Sequence, residues 1–74
     1  MVTIKLNLNL IKSVGKKELS LNINGPKPLK YLLDEIGLSQ KSIGMIIKNN
    51  KWAPLDCIID ENDEVQIFPH LEGG

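Results

Sequence analysis

Asp60-Glu61-Asn62-Asp63-Glu64-Val65-Gln66-Ile67-Phe68-Pro69-His70-Leu71-Glu72-Gly73-Gly74 is the stretch on which the fold turns. Its first four residues are acids and an asparagine, whose short side chains bond nearby backbone and favour a turn. Val65 to Phe68 then reads as a closing strand, and Pro69, with its fixed φ and no N–H, cannot continue a ladder on both sides. We therefore expect a domain over residues 1–68 and a flexible diglycine tail over 69–74. Extended, that tail projects roughly 20 Å at about 3.3–3.6 Å per residue. Gly73 and Gly74 lack a Cβ, so its end is thin and free in φ. A thin end bearing a carboxylate suits an enzyme that must thread a chain terminus into a closed active site.

Outward from this stretch, the N-terminal residues 3–10 alternate, with Ile4, Leu6, Leu8 and Leu10 on one face and Thr3, Lys5, Asn7 and Asn9 on the other. A period of two predicts a half-buried strand. Ser13 to Lys17, centred on Gly15, reads as a turn, and Leu19, Leu21 and Ile23 continue the alternation in a second strand, giving an antiparallel hairpin. Pro28 is placed as the first helical residue, followed by the apolar stripe Leu29, Leu32, Leu33 and Ile36, with Gly37 as a left-handed terminator and Lys30 and Asp34 four apart outside. About three turns of amphipathic helix are suited to covering the chain's own sheet rather than a membrane.

Ile43 to Lys48 is expected to be a strand with Met45 and Ile47 facing the core. Asn49-Asn50 and the extended Lys51-Trp52-Ala53 predict a second, smaller hairpin, stopped by Pro54. Leu55, Cys57, Ile58 and Ile59 are expected to return toward the core. The order of strand, strand, helix, strand, short strand, final strand predicts an α+β roll. Its mixed sheet of four to five strands carries one main helix on one face, and the first and last strands lie side by side in the centre.

Composition narrows function by exclusion. A chain of 74 residues makes one small domain, and 42% hydrophobic content fits a globular fold. Nine lysines balance nine acids and there is no arginine, so a nucleic-acid partner is not expected. The lysines lie between Lys5 and Lys51 while acids crowd the C-terminal end, which gives that end a negative face or simply a solvated acidic loop. No apolar run nears the roughly 20 residues of a membrane span. With no signal peptide and only Cys57, which has no partner for an internal disulfide, we expect a cytoplasmic protein.

Catalytic apparatus is missing. His70 and Cys57 alone do not make a metal site, and the apolar neighbours of Cys57 should raise its pKa and quiet it. Gly15, Gly25, Gly37 and Gly44 are isolated, read as turns or element ends, and form no phosphate loop. The acids of 60–64 lack the spacing and central glycine of an EF-hand. The reactive group left is the carboxylate of Gly74, an anion at neutral pH and a poor electrophile until a partner converts it to a mixed anhydride. Attack on that acyl-adenylate by a sulfur nucleophile leaves a thiocarboxylate, and glycine keeps the acyl carbon open to approach.

The order of elements, the acidic turn of residues 60–64, the closing Val65-Gln66-Ile67-Phe68-Pro69 and the final Gly73-Gly74 resemble the MoaD/ThiS family of sulfur carriers. The resemblance implies a ubiquitin-like β-grasp fold and a protein that is not itself an enzyme. It implies that Gly74, with Gly73, is the reacting end, adenylated by an E1-like adenylyltransferase of the MoeB/ThiF type that uses ATP, with no cofactor bound by the carrier. Phe68, Pro69, His70, Leu71 and Glu72 become the partner-binding residues. The sulfur acceptor is the molybdopterin synthase large subunit in MoaD-type proteins and thiazole synthase in thiamine synthesis in ThiS-type proteins. Phe68-Pro69 is closer to MoaD tails, although His70 stands where those tails often carry a second proline, and Glu72 puts a charge before the diglycine. A ubiquitin-like modifier joined to lysines through Gly74, and a plain β-grasp binding module, remain alternatives.

Overall fold

A computed structural model describes residues 1–70; Leu71, Glu72, Gly73 and Gly74 lie outside the described residues. The chain runs as β1 (Val2–Leu6), α1 (Leu10–Val14), β2 (Glu18–Leu21), β3 (Lys27–Pro28), α2 (Leu29–Glu35), a 3-10 turn (Gln40–Ser42), β4 (Ile43–Lys48), β5 (Lys51–Ala53), β6 (Ile58–Ile59) and β7 (Glu64–Pro69). Five strands form one sheet in the order β2-β1-β7-β4-β5, and β3 pairs with β6 in a small second sheet. β1 and β7 are central neighbours, as expected of the first and last strands, and run parallel, whereas β1–β2, β4–β5 and β4–β7 are antiparallel. With α2 packed on one face, this is the ubiquitin-like β-grasp roll.

Alternation decides which face is covered. Val2, Ile4 and Leu6 of β1 and Val65 and Ile67 of β7 are buried, in register as Ile4↔Val65 and Leu6↔Ile67. Leu29, Leu32 and Leu33 of α2 are fully buried in the same cluster, and Ile36 packs partly against it. These aliphatic side chains carry the core; each contributes roughly 1.5–3 kcal/mol on leaving water. Thr3, Lys5, Glu64, Gln66 and Phe68 point to the other, open face of the sheet, where Lys5 Nζ meets Glu64 at 2.8 Å.

Several expectations need correction. β1 ends at Leu6 rather than running to Leu10, because Leu8 takes φ +56° and turns the chain. Leu8 is therefore 63% exposed, and a short helix, α1, fills Leu10–Val14 before the expected turn, which keeps Gly15 at φ +89° and runs to Lys17. Pro28 is the N-cap of α2 and not its first residue, since Pro28 is still extended and pairs with Ile58. Lys30 and Asp34 form no ion pair; Lys30 Nζ lies 5.8 Å from the Tyr31 ring centroid. In β4 the core residues are Ile43 and Ile46, with Met45 exposed and Ile47 half-buried. A bulge between Ile43 and Met45 shifts the phase by one residue, which sends Met45 to the open face. Gly44 thus sits inside a strand, not at a turn. Leu55 and Cys57 pack on the core and Ile59 is buried, but Ile58 is half exposed.

The Asn49-Asn50 hairpin turn is present, with φ +50° and +68° at its two asparagines. Two successive left-handed residues match the right-handed twist of the flanking strands. Gly37, at φ +79°, terminates α2 as expected.

Candidate functional site

The candidate site is the end of β7. This strand is paired on both sides, to β1 and to β4, so its last residues leave the sheet from a fixed point. The Ile67 carbonyl accepts both the backbone N–H and the side-chain Nδ2 of Asn7, each at 3.1 Å, which secures the chain immediately before Phe68. Immediately after Asn7 the chain turns off at Leu8, leaving that leucine beside the exit.

Phe68 is half-buried on the open face opposite Met45, and Pro69 is buried and paired with Ile43. The strand therefore runs one residue past its expected end. Pro69 is tolerated there because a bulge already interrupts the ladder on its β4 side. His70 is exposed. Leu8, Gly44, Met45, Phe68, Pro69 and His70 enclose an apolar groove of about 260 Å³. On the other side of His70 lies a polar hollow with Asn9, Ser13, Lys41 and Ser42 on its walls. Further along the open face, Trp52 of β5 stands opposite Ile47 and is 69% exposed. Met45, Phe68, Ile47 and Trp52 thus make an apolar strip across β7, β4 and β5 that begins where the chain exits.

Of the site residues expected from the sequence, Phe68, Pro69 and His70 come together here, while Leu71, Glu72, Gly73 and Gly74 lie outside the described residues. Leu8, Gly44 and Met45 were not anticipated at the site. A glycine inside an apolar strand run signals a bulge or a close backbone approach, and Gly44 carries that signal in the sequence. Leu8 carries no such signal.

Elsewhere the chemistry is quiet. Burial pushes the Cys57 thiol above its ordinary pKa. Among the described residues no three His, Cys, Asp or Glu side chains gather as metal ligands. No helix among them is long and apolar enough to cross a membrane.

No family model matches the sequence, and no curated protein matches it. Solved structures do. SAMP1 from Haloferax volcanii superposes with a TM-score of 0.77 at 22% identity, over 99% of this chain and 98% of that one. A second structure, of the Haloferax volcanii small archaeal modifier protein 1, gives a TM-score of 0.71 at 18% identity over 92% and 94%. A Pyrococcus furiosus protein assigned as molybdopterin converting factor subunit 1 gives 0.74 at 18% identity, again over 92% and 94%. At these identities the likeness speaks for the fold: the described residues have the ubiquitin-like β-grasp architecture of these small proteins.

Proposed function

We infer that the chain is a sulfur carrier of the MoaD/ThiS kind that works through the carboxylate of Gly74. The observation that carries this reading is the exit itself. A strand held on both sides delivers Phe68-Pro69-His70 to the edge of an apolar strip, on a fold shared with a protein assigned to molybdopterin conversion. The fold supplies rigidity and a docking face, and the partner supplies catalysis.

The chemistry follows from the group at the end. A Gly74 carboxylate oxygen attacks the α-phosphorus of ATP held by an E1-like adenylyltransferase, breaking the α–β phosphoanhydride bond and releasing pyrophosphate. A hydrosulfide ion then attacks the acyl carbon, the C–O bond to AMP breaks and AMP leaves with the bonding pair, and loss of the sulfur-bound proton leaves the terminus as a thiocarboxylate. The four residues that follow Pro69-His70, Leu71 to Gly74, act as the working tail. The apolar strip of Phe68, Met45 and Trp52 contacts the activating enzyme, and Glu72 requires a basic group along that enzyme's channel. Sulfur passes next to a molybdopterin synthase large subunit, the acceptor that Phe68-Pro69 favours, or to thiazole synthase.

Intact-protein mass spectrometry tests this on the full chain with ATP, an activating enzyme and a sulfur source. The expected result is a mass gain equal to exchanging one oxygen for sulfur, lost when Gly74 is deleted. No gain with an enzyme active on its own substrate would sink the reading. A second reading, a modifier joined to lysines, is favoured by the likeness to the small archaeal modifier protein 1. It shares the adenylation step, and isopeptide-linked conjugates in cell extract would identify it.

A further inference from the structure

Gly44 is a glycine because of space and not because of its backbone angle. Its φ lies outside the left-handed region, unlike Gly15, Gly25 and Gly37, which have positive φ and open space where a Cβ would stand. At Gly44 a Cβ would lie 2.6 Å from the Pro69 carbonyl oxygen, 2.8 Å from His70 Cα and 2.9 Å from His70 N. All three are backbone atoms of the last residues before the working tail. They cannot swing aside as a side-chain tip can, because Pro69 is paired with Ile43 and its φ is fixed. The bulge brings this about: from Ile43↔Pro69 to Met45↔Phe68, two steps along β4 match one along β7, and Gly44 is the extra residue.

We propose that Gly44 is a positioning residue for the Gly74 carboxylate: its missing Cβ lets β4 lie against the 69–70 peptide and so sets where, and in which direction, the tail leaves the sheet. The proposal rests on the carrier reading and adds to it a residue on a neighbouring strand, 30 positions from the reacting end. A side chain at residue 44 must push the Pro69–His70 peptide off β4. That displacement moves the point from which the four residues after His70 set out, and so the span they must cover to reach the α-phosphorus. Inside a channel where a carboxylate oxygen must meet the α-phosphorus of ATP in line, misplacement of about 1 Å can cost about 100-fold in rate. Ile47 and Trp52, the far part of the open-face strip, lie away from the displaced peptide, so docking there and delivery at the exit separate.

The test uses the full chain and steady-state pyrophosphate release by an activating enzyme, comparing the natural sequence with Gly44→Ala. The expected result is a cooperative melt for Gly44→Ala, KM within about 2-fold, and kcat lower by about 10-fold or more. A merely structural role would instead lower the folded fraction and leave the kcat of the folded protein unchanged. A stable Gly44→Ala protein with undiminished kcat overturns the proposal and leaves the carrier reading standing. Failure of the natural chain to be adenylated, with an enzyme active on its own substrate, overturns both. If Gly44→Ala does not fold, the natural chain decides by NMR. Cross-peaks from the Gly44 Hα protons to the His70 Hα and amide protons are expected to be among the strong cross-strand contacts, and their absence overturns the proposal.

Discussion

At the scale of the residue, Asn49 shows how a single side chain can lock the strand that carries the site. Its backbone N–H donates to the Glu64 carbonyl at 2.8 Å, its Nδ2 donates to Asp63 Oδ1 at 2.9 Å, and its Oδ1 accepts the Glu64 N–H at 2.9 Å. The β4–β5 turn is thereby tied to the first residue of β7. Asparagine also tolerates the left-handed φ of +50° that this position requires. Asn49→Ala removes two side-chain bonds, each contributing about 0.5–1.5 kcal/mol net, and adds backbone strain of about 1 kcal/mol. A loss of about 2–4 kcal/mol is expected, read as a lower urea midpoint at unchanged m-value. Asn49→Gly should regain the strain component only. Asp63, on the other side of this lock, has a pH signature. Burial pushes its pKa up, but hydrogen bonds from the Asp60 N–H and the Asn49 amide, with Lys48 nearby, outweigh it and hold the carboxyl below its ordinary value of 3.8. A lowered folded pKa means the stabilisation is full above the ordinary carboxylate range and is lost as pH falls through the depressed value. The stability difference between the natural chain and Asp63→Asn should therefore persist at neutral pH and shrink as pH drops below about 4. A difference independent of pH would rule this out.

At the scale of the element, α2 is where burial decides stability. Leu32 is fully buried against the sheet, whereas Tyr31, its neighbour, is 56% exposed. Leu32→Ala is expected to cost about 2–5 kcal/mol, a large share of what a domain of this size has, while Tyr31→Ala should stay within about 0.5 kcal/mol. Chemical denaturation of the two variants would contradict the assignment of the buried stripe if their order were reversed. This helix was legible because its spacing, its preceding proline and its terminal Gly37 agree with one another. The adjacency of the first and last strands, and the exit at Phe68-Pro69-His70, were legible for the same reason: local pattern and chain order point the same way. The walls of the exit groove were not. Leu8 continues a regular alternation, yet the backbone turns there, held by the bonds from Asn7 to the Ile67 carbonyl, so the pattern outlasts the strand. Met45 and Ile47 were assigned the wrong face because alternation counts residues, and a bulge adds one without announcing it. What places Gly44 against His70 is a contact 26 residues apart in the chain, and periodicity is blind to such contacts.

At the scale of the whole molecule, the open face of the sheet divides into two halves with different uses. The β2–β1 side carries Glu18, Lys5 and, on β7, Glu64, with the Lys5–Glu64 pair exposed and open to screening by salt. The β4–β5 side carries Met45, Ile47 and Trp52, meeting Phe68 at the end of β7. A large aromatic left 69% exposed at a sheet edge adds little to folding, but it is the residue type that most often dominates binding once a partner covers it. Trp52→Glu in the full chain is therefore expected to leave the unfolding midpoint within about 0.5 kcal/mol. Its KM for the activating enzyme should rise about 30-fold or more, the fold-change of a hot spot of at least about 2 kcal/mol, with kcat held near its natural value. This is the opposite split from Gly44→Ala, which should keep KM and lose kcat. Since the contact is apolar, the Trp52→Glu effect should persist when ionic strength is raised, whereas an effect arising only from the new charge would fade. If KM did not move, docking would have to lie on another face, and the strip beside the exit would belong to the fold alone. If KM rose and kcat fell together in both variants, binding and delivery would not be separable, and the two-part design of rigid docking face and directed tail would fail as a description of this molecule.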